Sequence, residues 1–426
     1  METLLIGIAL VVLAVLGAPL FAIVGAIAMM SFNGAGIDTS AVIVELYRIC
    51  SNPTMVAIPL FTFAGYVLAE SKAPIRLVNL SRALFGWLPG GLAIVALVTC
   101  AMFTAFTGAS GVTIVALGGL LYPILVSEQY GERFSLGLVT TSGSLGLLFP
   151  PSLPIILYAV VSKISVDRLF VAGIIPGVLL LIALSAYCIR HGIRMNVPRT
   201  PFSFKGALTA IRGAAWELPL PIVIIGGIYS GAFTATEAAA VTAFYVLIVE
   251  VFIYRDVKLF SDVPRVMRES MLLVGAILMI IGTAMGLTNY LVDDEVPMRL
   301  FEMTKTLISS PWVFLVILNL FLIVVGMMMD IFSAIIVVVP LIIPIATAYG
   351  VDPVHLGIIF LANLEIGYLT PPVGLNLFIS SLRFHKPVFT VVRSIIPFTI
   401  VLLIALVIIT YVPSMSLFLV RMMGVR

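Results

Sequence analysis

Charge is what this chain of 426 residues has least of. Lys and Arg number 23 and Asp and Glu 20, so charged residues make up 10% of the sequence, against about 25% in an average soluble protein. Hydrophobic residues make up 62%, and the mean hydropathy is +1.23. So little polarity cannot cover a water-borne fold, which excludes the two or three soluble domains that the length alone would permit. The net charge is only +3, and no Lys/Arg block interleaved with aromatics offers a nucleic-acid face. No GxxxxGK[ST] run is present to cradle ATP phosphates. Cys50, Cys100 and Cys188 lack CxxC spacing, so neither a disulfide framework nor a thiolate metal site is indicated. His191, His355 and His385 fall in predicted loops, and none is spaced with a second His or a carboxylate as a metal site or triad requires. No catalytic residue and no cofactor is expected. The start, Met1-Glu2-Thr3, lacks the positive charge of a cleaved signal and reads as a retained membrane segment.

What is present is long apolar sequence. Solid blocks such as Val401 to Ile409 exclude the apolar/polar alternation of an outer-membrane β-barrel. Crossings are predicted near 3–15, 18–31, 53–70, 134–160, 168–189, 215–232, 237–253, 270–292, 354–381 and 395–415. Residues 1–31 form either two short spans or one long one around Gly17-Ala18-Pro19. The stretches 92–126 and 312–348 are too long for one crossing and too broken for a clean pair, and are read as re-entrant helical hairpins. The expected fold class is an all-α polytopic membrane protein with about 10–12 transmembrane helices plus two hairpins. Amphipathic stretches at about 39–50, 72–86 and 294–308 are expected to lie along the bilayer interfaces.

The loop from Arg190 to Arg212 has five basic residues and no acid, which places it in the cytoplasm by the positive-inside rule. Alternation then puts Lys72, Arg76, Arg82, Arg133, Arg255, Lys258, Arg265, Arg268, Arg383, Lys386 and Arg393 on the same side, sixteen of the 23 basic residues in all. The loop around Asp293, Asp294, Glu295 and Glu302 is acidic and external, as are both termini.

Shifting the chain on itself by 221 residues brings Gly146 onto Gly367, Pro150-Pro151 onto Pro371-Pro372, Pro123 onto Pro344 and Ile174-Ile175-Pro176 onto Ile395-Ile396-Pro397. Over 146–176 the shift gives eight identities in 31 positions, and the Pro and Gly matches carry the argument because these residues are structurally costly. Residues 1–200 and 201–426 are thus expected to be inverted repeats, each with five crossings, one hairpin and one broken helix. Inverted repeats with paired broken helices characterise secondary transporters, whose site lies near the midplane.

The breaks supply the candidate chemistry. Pro150-Pro151 are expected to release the carbonyls of Gly146 and Leu147, and Pro371-Pro372 those of Gly367 and Tyr368, for a cation such as Na⁺, for water or for a neighbouring helix. The first hairpin turns at Thr107-Gly108-Ala109-Ser110-Gly111, followed by Thr113, where small residues permit the turn and Thr107, Ser110 and Thr113 supply hydroxyl oxygens. A half-helix starting there also suits an anionic group. Asp330 breaks the second hairpin, and a carboxylate at that depth costs about 2.5–3.5 kcal/mol unless it meets a cavity or cation. Asn363 and Asn376 flank the second proline pair. Glu365 is read as either a ligand or a partner for a basic residue such as Arg383, and Glu237 as a helix cap.

These stretches, FTGASGVTIVALGGLLYPIL at 106–125, GSLGLLFPPS at 143–152, TATEAAAV at 234–241, MMMDIFSA at 327–334 and NLEIGYLTPPVGLNLF at 363–378, resemble the large membrane subunit of the tripartite ATP-independent periplasmic (TRAP) transporters. The resemblance implies an elevator-type secondary transporter of the bacterial or archaeal cytoplasmic membrane. It would carry Na⁺ together with an organic anion, a carboxylate such as sialate or a C4-dicarboxylate. A separate four-helix membrane subunit and a periplasmic substrate-binding protein would be its partners. The expected sodium ligands are Thr107, Ser110, Gly146, Asp330, Asn363, Gly367 and Thr370, and the expected substrate contacts Gly108, Ser144 and Asn376. The alternatives are a self-sufficient sodium/carboxylate symporter and, more remotely, a membrane scaffold or intramembrane enzyme.

Overall fold

The computed structural model describes residues 12–13, 18–51, 53–197, 201–230, 232–308 and 310–423. Most of the predicted 3–15 span, and with it the choice between one and two initial spans, lies outside the described residues. Every regular element is helical: α1 (Leu20–Gly34), α2 (Ser40–Cys50), α3 (Ala57–Glu70), α4 (Ala73–Phe85), α5 (Gly91–Thr107), α6 (Ser110–Ser127), α7 (Glu132–Ser142), α8 (Leu153–Ser162), α9 (Val166–Arg194), α10 (Phe204–Gly213) and α11 (Pro219–Tyr229) in the first part. Then follow α12 (Ala235–Ile253), α13 (Asp262–Asp293), α14 (Val296–Leu307), α15 (Pro311–Met328), α16 (Ile331–Ala348), α17 (Pro353–Gly367), α18 (Leu375–Phe384), α19 (Val388–Tyr411) and α20 (Ser414–Met422). Among the described residues, eight helices are long and apolar enough to cross a membrane, and α7 with α8, bent by 43° across their break, makes a ninth. Their outward faces remain apolar: Ile222, Phe244, Leu272, Leu320 and Ile404 are all exposed, as lipid rather than water demands.

The 221-residue shift reappears in the element boundaries. It carries the end of α5 onto that of α15, both ends of α6 onto those of α16, and the start of α7 onto that of α17. The Pro150-Pro151 and Pro371-Pro372 peptide bonds are both cis. The two halves interlock, since α7 packs on α19 and α8 on α16. A second group forms where α13 packs on α1, α2 and α3, and α12 on α3, and it meets the hairpins where α13 packs on α16 and α3 on α5.

Local chemistry sets the helix ends. Thr234 and Glu237 form a reciprocal capping box at the start of α12, which satisfies two backbone donors that helix geometry leaves free. The predicted interfacial stretches appear as α2, α4 and α14, and α4 is anchored by charge. Arg76 projects from it to bond Glu217, Glu250 and Asp256, with the Tyr254 ring 3.7 Å from the guanidinium. Burial works against the Arg76 charge, but the Asp256 bond and the Glu250 and Glu217 charges hold its pKa above the ordinary value.

Two helices were not expected. α10 occupies the predicted Arg190–Arg212 loop, capped by the Ser203 hydroxyl, and α20 follows Pro413. Two of the three histidines also differ from the loop assignment. His191 lies within α9, which runs on to Arg194 because the imidazole stacks on Phe134 at 3.7 Å and its Nε2 meets the Tyr130 carbonyl at 3.0 Å. His355 is buried in the first turn of α17, bonded to the Ser416 hydroxyl and the Thr410 carbonyl. His385 lies in the turn after α18, as expected, in a left-handed conformation.

Candidate functional site

The first hairpin turns at Gly108, whose φ of +64° suits glycine; a side chain there would also run into Leu153. The turn aims α6 inward from Ser110. The Ser110 hydroxyl donates to Asn376 Oδ1 at 2.8 Å, so a residue of the first hairpin meets one at the start of α18, 266 positions away. The Asn376 Nδ2 has no partner among the described residues although the side chain is fully buried, and the same holds for the Thr107 hydroxyl. Thr113 is committed elsewhere: its hydroxyl pairs with Thr104, which donates to the Gly143 carbonyl at 2.9 Å. Ser144 is buried, its hydroxyl 3.4 Å from the Thr141 carbonyl. Gly146 packs directly on the backbone of α5, where a Cβ would lie 2.5 Å from the Ala105 nitrogen. Thr107, Gly108, Ser110, Ser144, Gly146 and Asn376 are thus gathered around the first hairpin.

The second hairpin gathers a different set. Asp330 is exposed and caps α16, accepting from the Phe332 and Ser333 N–H groups at 3.0 Å and from the Ser333 hydroxyl. It is therefore a helix cap at the hairpin tip and not a carboxylate within a helix. The Tyr368 hydroxyl takes the neighbouring Ile331 N–H. Gly367 lies against Gly326, so close that a Cβ would come within 2.6 Å of its backbone. The Thr370 hydroxyl donates to the Ile366 carbonyl at 2.9 Å. Asn363 stands apart from these groups: its Nδ2 donates to Asn319 Oδ1 at 2.6 Å, and its own Oδ1 is unpartnered among the described residues.

Two readings are corrected here. Three of the four carbonyls expected to be released by the prolines have partners: Gly146 accepts from the Phe149 N–H at 3.0 Å, Gly367 from Thr370 at 2.9 Å and Tyr368 from Asn376 at 3.2 Å. The chain tightens into i→i+3 turns before the prolines, and each carbonyl keeps one lone pair for further coordination. Arg383 is no partner for Glu365; its Nε donates to the Val115 carbonyl at 3.0 Å. That carbonyl lies in a π turn, Ile114–Gly118, within α6. Sequence reasoning missed Asn319, although it is the one amide in an otherwise apolar arm, and Thr141, whose buried hydroxyl is unpartnered among the described residues.

A crevice of about 410 Å³ reaches the first hairpin between Tyr66 and Glu70 of α3, Gly111 and Val115 of α6, Glu269 of α13 and Ile379 of α18. A larger cavity of about 630 Å³ lies away from both hairpins, between α4 and α10. The first site thus offers buried hydroxyl and amide groups, free to bind a small ion or an anion's oxygens, beside a path to the surface.

Comparison with known proteins agrees with this architecture. The family described as "Tripartite ATP-independent periplasmic transporter, DctM component" matches residues 4–415. The C4-dicarboxylate TRAP transporter large permease protein DctM of Pseudomonas aeruginosa is 37% identical over 401 residues, which covers 94% of this chain and 93% of that protein. The isethionate TRAP transporter permease protein DctMQ of Oleidesulfovibrio alaskensis is 35% identical, covering 95% of this chain and 64% of its own length. The ectoine TRAP transporter large permease protein TeaC of Halomonas elongata is 31% identical, covering 92% and 91%. Among solved structures, the YdaH transporter of Alcanivorax borkumensis has the same fold, with a TM-score of 0.61 at 12% identity and coverage of 90% and 88%.

Proposed function

The chain belongs to the DctM-component family of tripartite ATP-independent periplasmic transporters, and from that premise we propose that it couples the inward movement of Na⁺ to uptake of a small organic anion across the cytoplasmic membrane. The observation that carries this reading is the Ser110–Asn376 bridge, with the unpartnered Thr107 hydroxyl and Asn376 Nδ2 beside it. Hydroxyl oxygens and lone pairs on turn carbonyls form the kind of donor set that replaces the water shell of Na⁺, while N–H groups at a half-helix start favour a carboxylate. The relatives' names make a C4-dicarboxylate the first substrate to test, with ectoine and isethionate next. In this reading Thr107, Ser110 and Gly146 hold one cation, Asp330, Gly367 and Thr370 serve the second hairpin, and Gly108, Ser144 and Asn376 meet the substrate.

Residues 1–200 and 201–426 act as inverted repeats, and the hairpins with α7, α8, α17 and α18 move as a unit against the α1–α3 and α12–α13 group. The crevice beside Glu70 and Glu269 lies on the side that the basic loops mark as cytoplasmic, which supports an inward-open arrangement. The family is tripartite, so a small membrane subunit and a periplasmic substrate-binding protein complete the system. The name DctMQ and the 64% coverage of that relative fit a small subunit joined to the large one there. The relatives are named as permease proteins, which argues against the intramembrane-enzyme alternative.

The test is uptake of a C4-dicarboxylate into proteoliposomes that hold this chain and its small partner. Accumulation is expected only with the binding protein outside and a Na⁺ gradient. Uptake that continues when K⁺ replaces Na⁺ would remove the ion assignment, and uptake without the binding protein would favour the self-sufficient symporter.

A further inference from the structure

The cavity of about 630 Å³ between α4 and α10 takes no part in the transport reading. Its shape follows from the sequence of α10. Phe204, Leu208 and Ile211 recur at i, i+4 and i+7 and are all exposed, as on a helix that lies in the membrane interface with its apolar face in lipid. Gly206, Ala210 and Gly213 have the same spacing on the opposite face and line the cavity. Where α10 lies along α4, these short side chains leave room that longer ones would fill. The volume is that of a small-molecule site, about 300–1,000 Å³.

The charge on this cavity has one sign. Arg76 and Arg82 of α4 and Lys205 of α10 line it, and no carboxylate does among the described residues. Arg76 is committed to Glu217, Glu250 and Asp256. The other two cations are available. Arg82 keeps only an exposed contact with Glu128 at 3.3 Å, and a pair of that kind yields readily to a competing anion. Lys205 is exposed and has no ion pair among the described residues. Asn79 adds an amide from α4, while the Trp87 and Phe202 rings, both about half exposed, add apolar wall.

The positive-inside rule puts Arg76, Arg82 and Lys205 at the cytoplasmic surface of the bilayer, and a half-exposed tryptophan is at home at that depth. From this geometry we propose that the cavity binds the headgroup of an acidic glycerophospholipid of the cytoplasmic leaflet. Arg82 and Lys205 meet its phosphate, and its acyl chains run along the Trp87 and Phe202 rings into the bilayer. Basic pockets on this side of a membrane protein favour such headgroups, because the leaflet supplies the anion and the helices supply Lys and Arg at the same depth. A soluble phosphate would meet the same two cations but leave the apolar wall facing water. The site needs neither sodium nor the hairpins, so it stands or falls apart from the transport reading.

The experiment titrates the purified full chain in dodecyl maltoside with tritiated phosphatidylglycerol and counts the lipid retained on the protein. Wild type is expected to hold it about thirtyfold more tightly than Arg82→Gln combined with Lys205→Gln, the loss of two basic contacts. Lys258→Gln combined with Arg268→Gln removes the same charge from the same side of the protein, away from the cavity, and is expected to match wild type. Lys205→Gln alone, with a loss of about fivefold, stands in if the double variant fails to fold. Neither excess phosphatidylcholine nor excess inorganic phosphate is expected to displace the bound lipid. Equal retention by wild type and the cavity variant overturns the proposal, as does an equal loss in the Lys258 and Arg268 control. Displacement by inorganic phosphate overturns it in favour of a soluble anion, and displacement by phosphatidylcholine in favour of acyl chains held without regard to headgroup charge.

Discussion

Thr107 separates a structural role from a functional one. Its hydroxyl is buried and makes no hydrogen bond within the described protein, and a buried unpaired hydroxyl costs about 1–3 kcal/mol. Replacing it with the near-isosteric valine removes that cost. Thr107→Val is therefore expected to melt at the same temperature as wild type or higher, while the sodium concentration for half-maximal uptake rises about tenfold, equivalent to about 1.4 kcal/mol. A melt that falls, or a sodium dependence that stays put, would return Thr107 to ordinary packing. The residue was legible in the sequence because hydroxyls beside Gly108 in an apolar run stand out. Asn319 was equally isolated, yet its partner Asn363 is 44 positions away and no local pattern joins them. Asp330 is legible as the break of the second hairpin, while its role as the cap of α16 is not, because sequence spacing does not distinguish a carboxylate within a helix from one capping its first turn.

Among the elements, the hairpins and broken helices were readable from Gly, Pro and Asp, which interrupt helices for steric reasons that operate locally. α10 and α20 were not, since both are short and amphipathic, and short helices owe their stability to the surfaces they lie on. α12 tests the local side of that rule. Thr234→Ala removes one half of the capping box and is expected to cost about 0.5–2 kcal/mol, read as a lower melting temperature in detergent. α4 tests the tertiary side. Arg76→Ala leaves Glu217, Glu250 and Asp256 without their shared cation, and removal of one member of a buried pair costs about 3–5 kcal/mol. The same tether predicts a pH effect of definite sign. Burial opposes the Asp256 charge, yet the bond to Arg76 holds its carboxyl below the usual range, so its stabilising contribution is present at neutral pH and is lost as pH falls through the folded-state value. Acid melts of wild type and Asp256→Asn should therefore converge, and melts that stay parallel into acid would count against the tether.

Across the whole molecule, the 221-residue correspondence is visible in rare residues and recurs in helix boundaries, because the Gly and Pro residues that match are the ones that end helices. The Ser110–Asn376 bridge has a mirror position under that correspondence, and it is occupied by Ile331 and Ile155. α16 and α8, which carry this pair, pack directly on each other. The architecture therefore already tolerates isoleucine at both members of the pair. Ser110→Ile combined with Asn376→Ile should insert and melt close to wild type while abolishing uptake in proteoliposomes; a variant that unfolds would show that the polar bridge holds the halves together instead. Symmetry of backbone without symmetry of chemistry also fixes a count. A doublet that kept both polar pairs would present two equivalent berths, one for each half, and load from either. With one pair polar and its twin apolar, the proposed substrate site leads us to expect one substrate anion per transport cycle, checked by the ratio of bound substrate to protein at saturation.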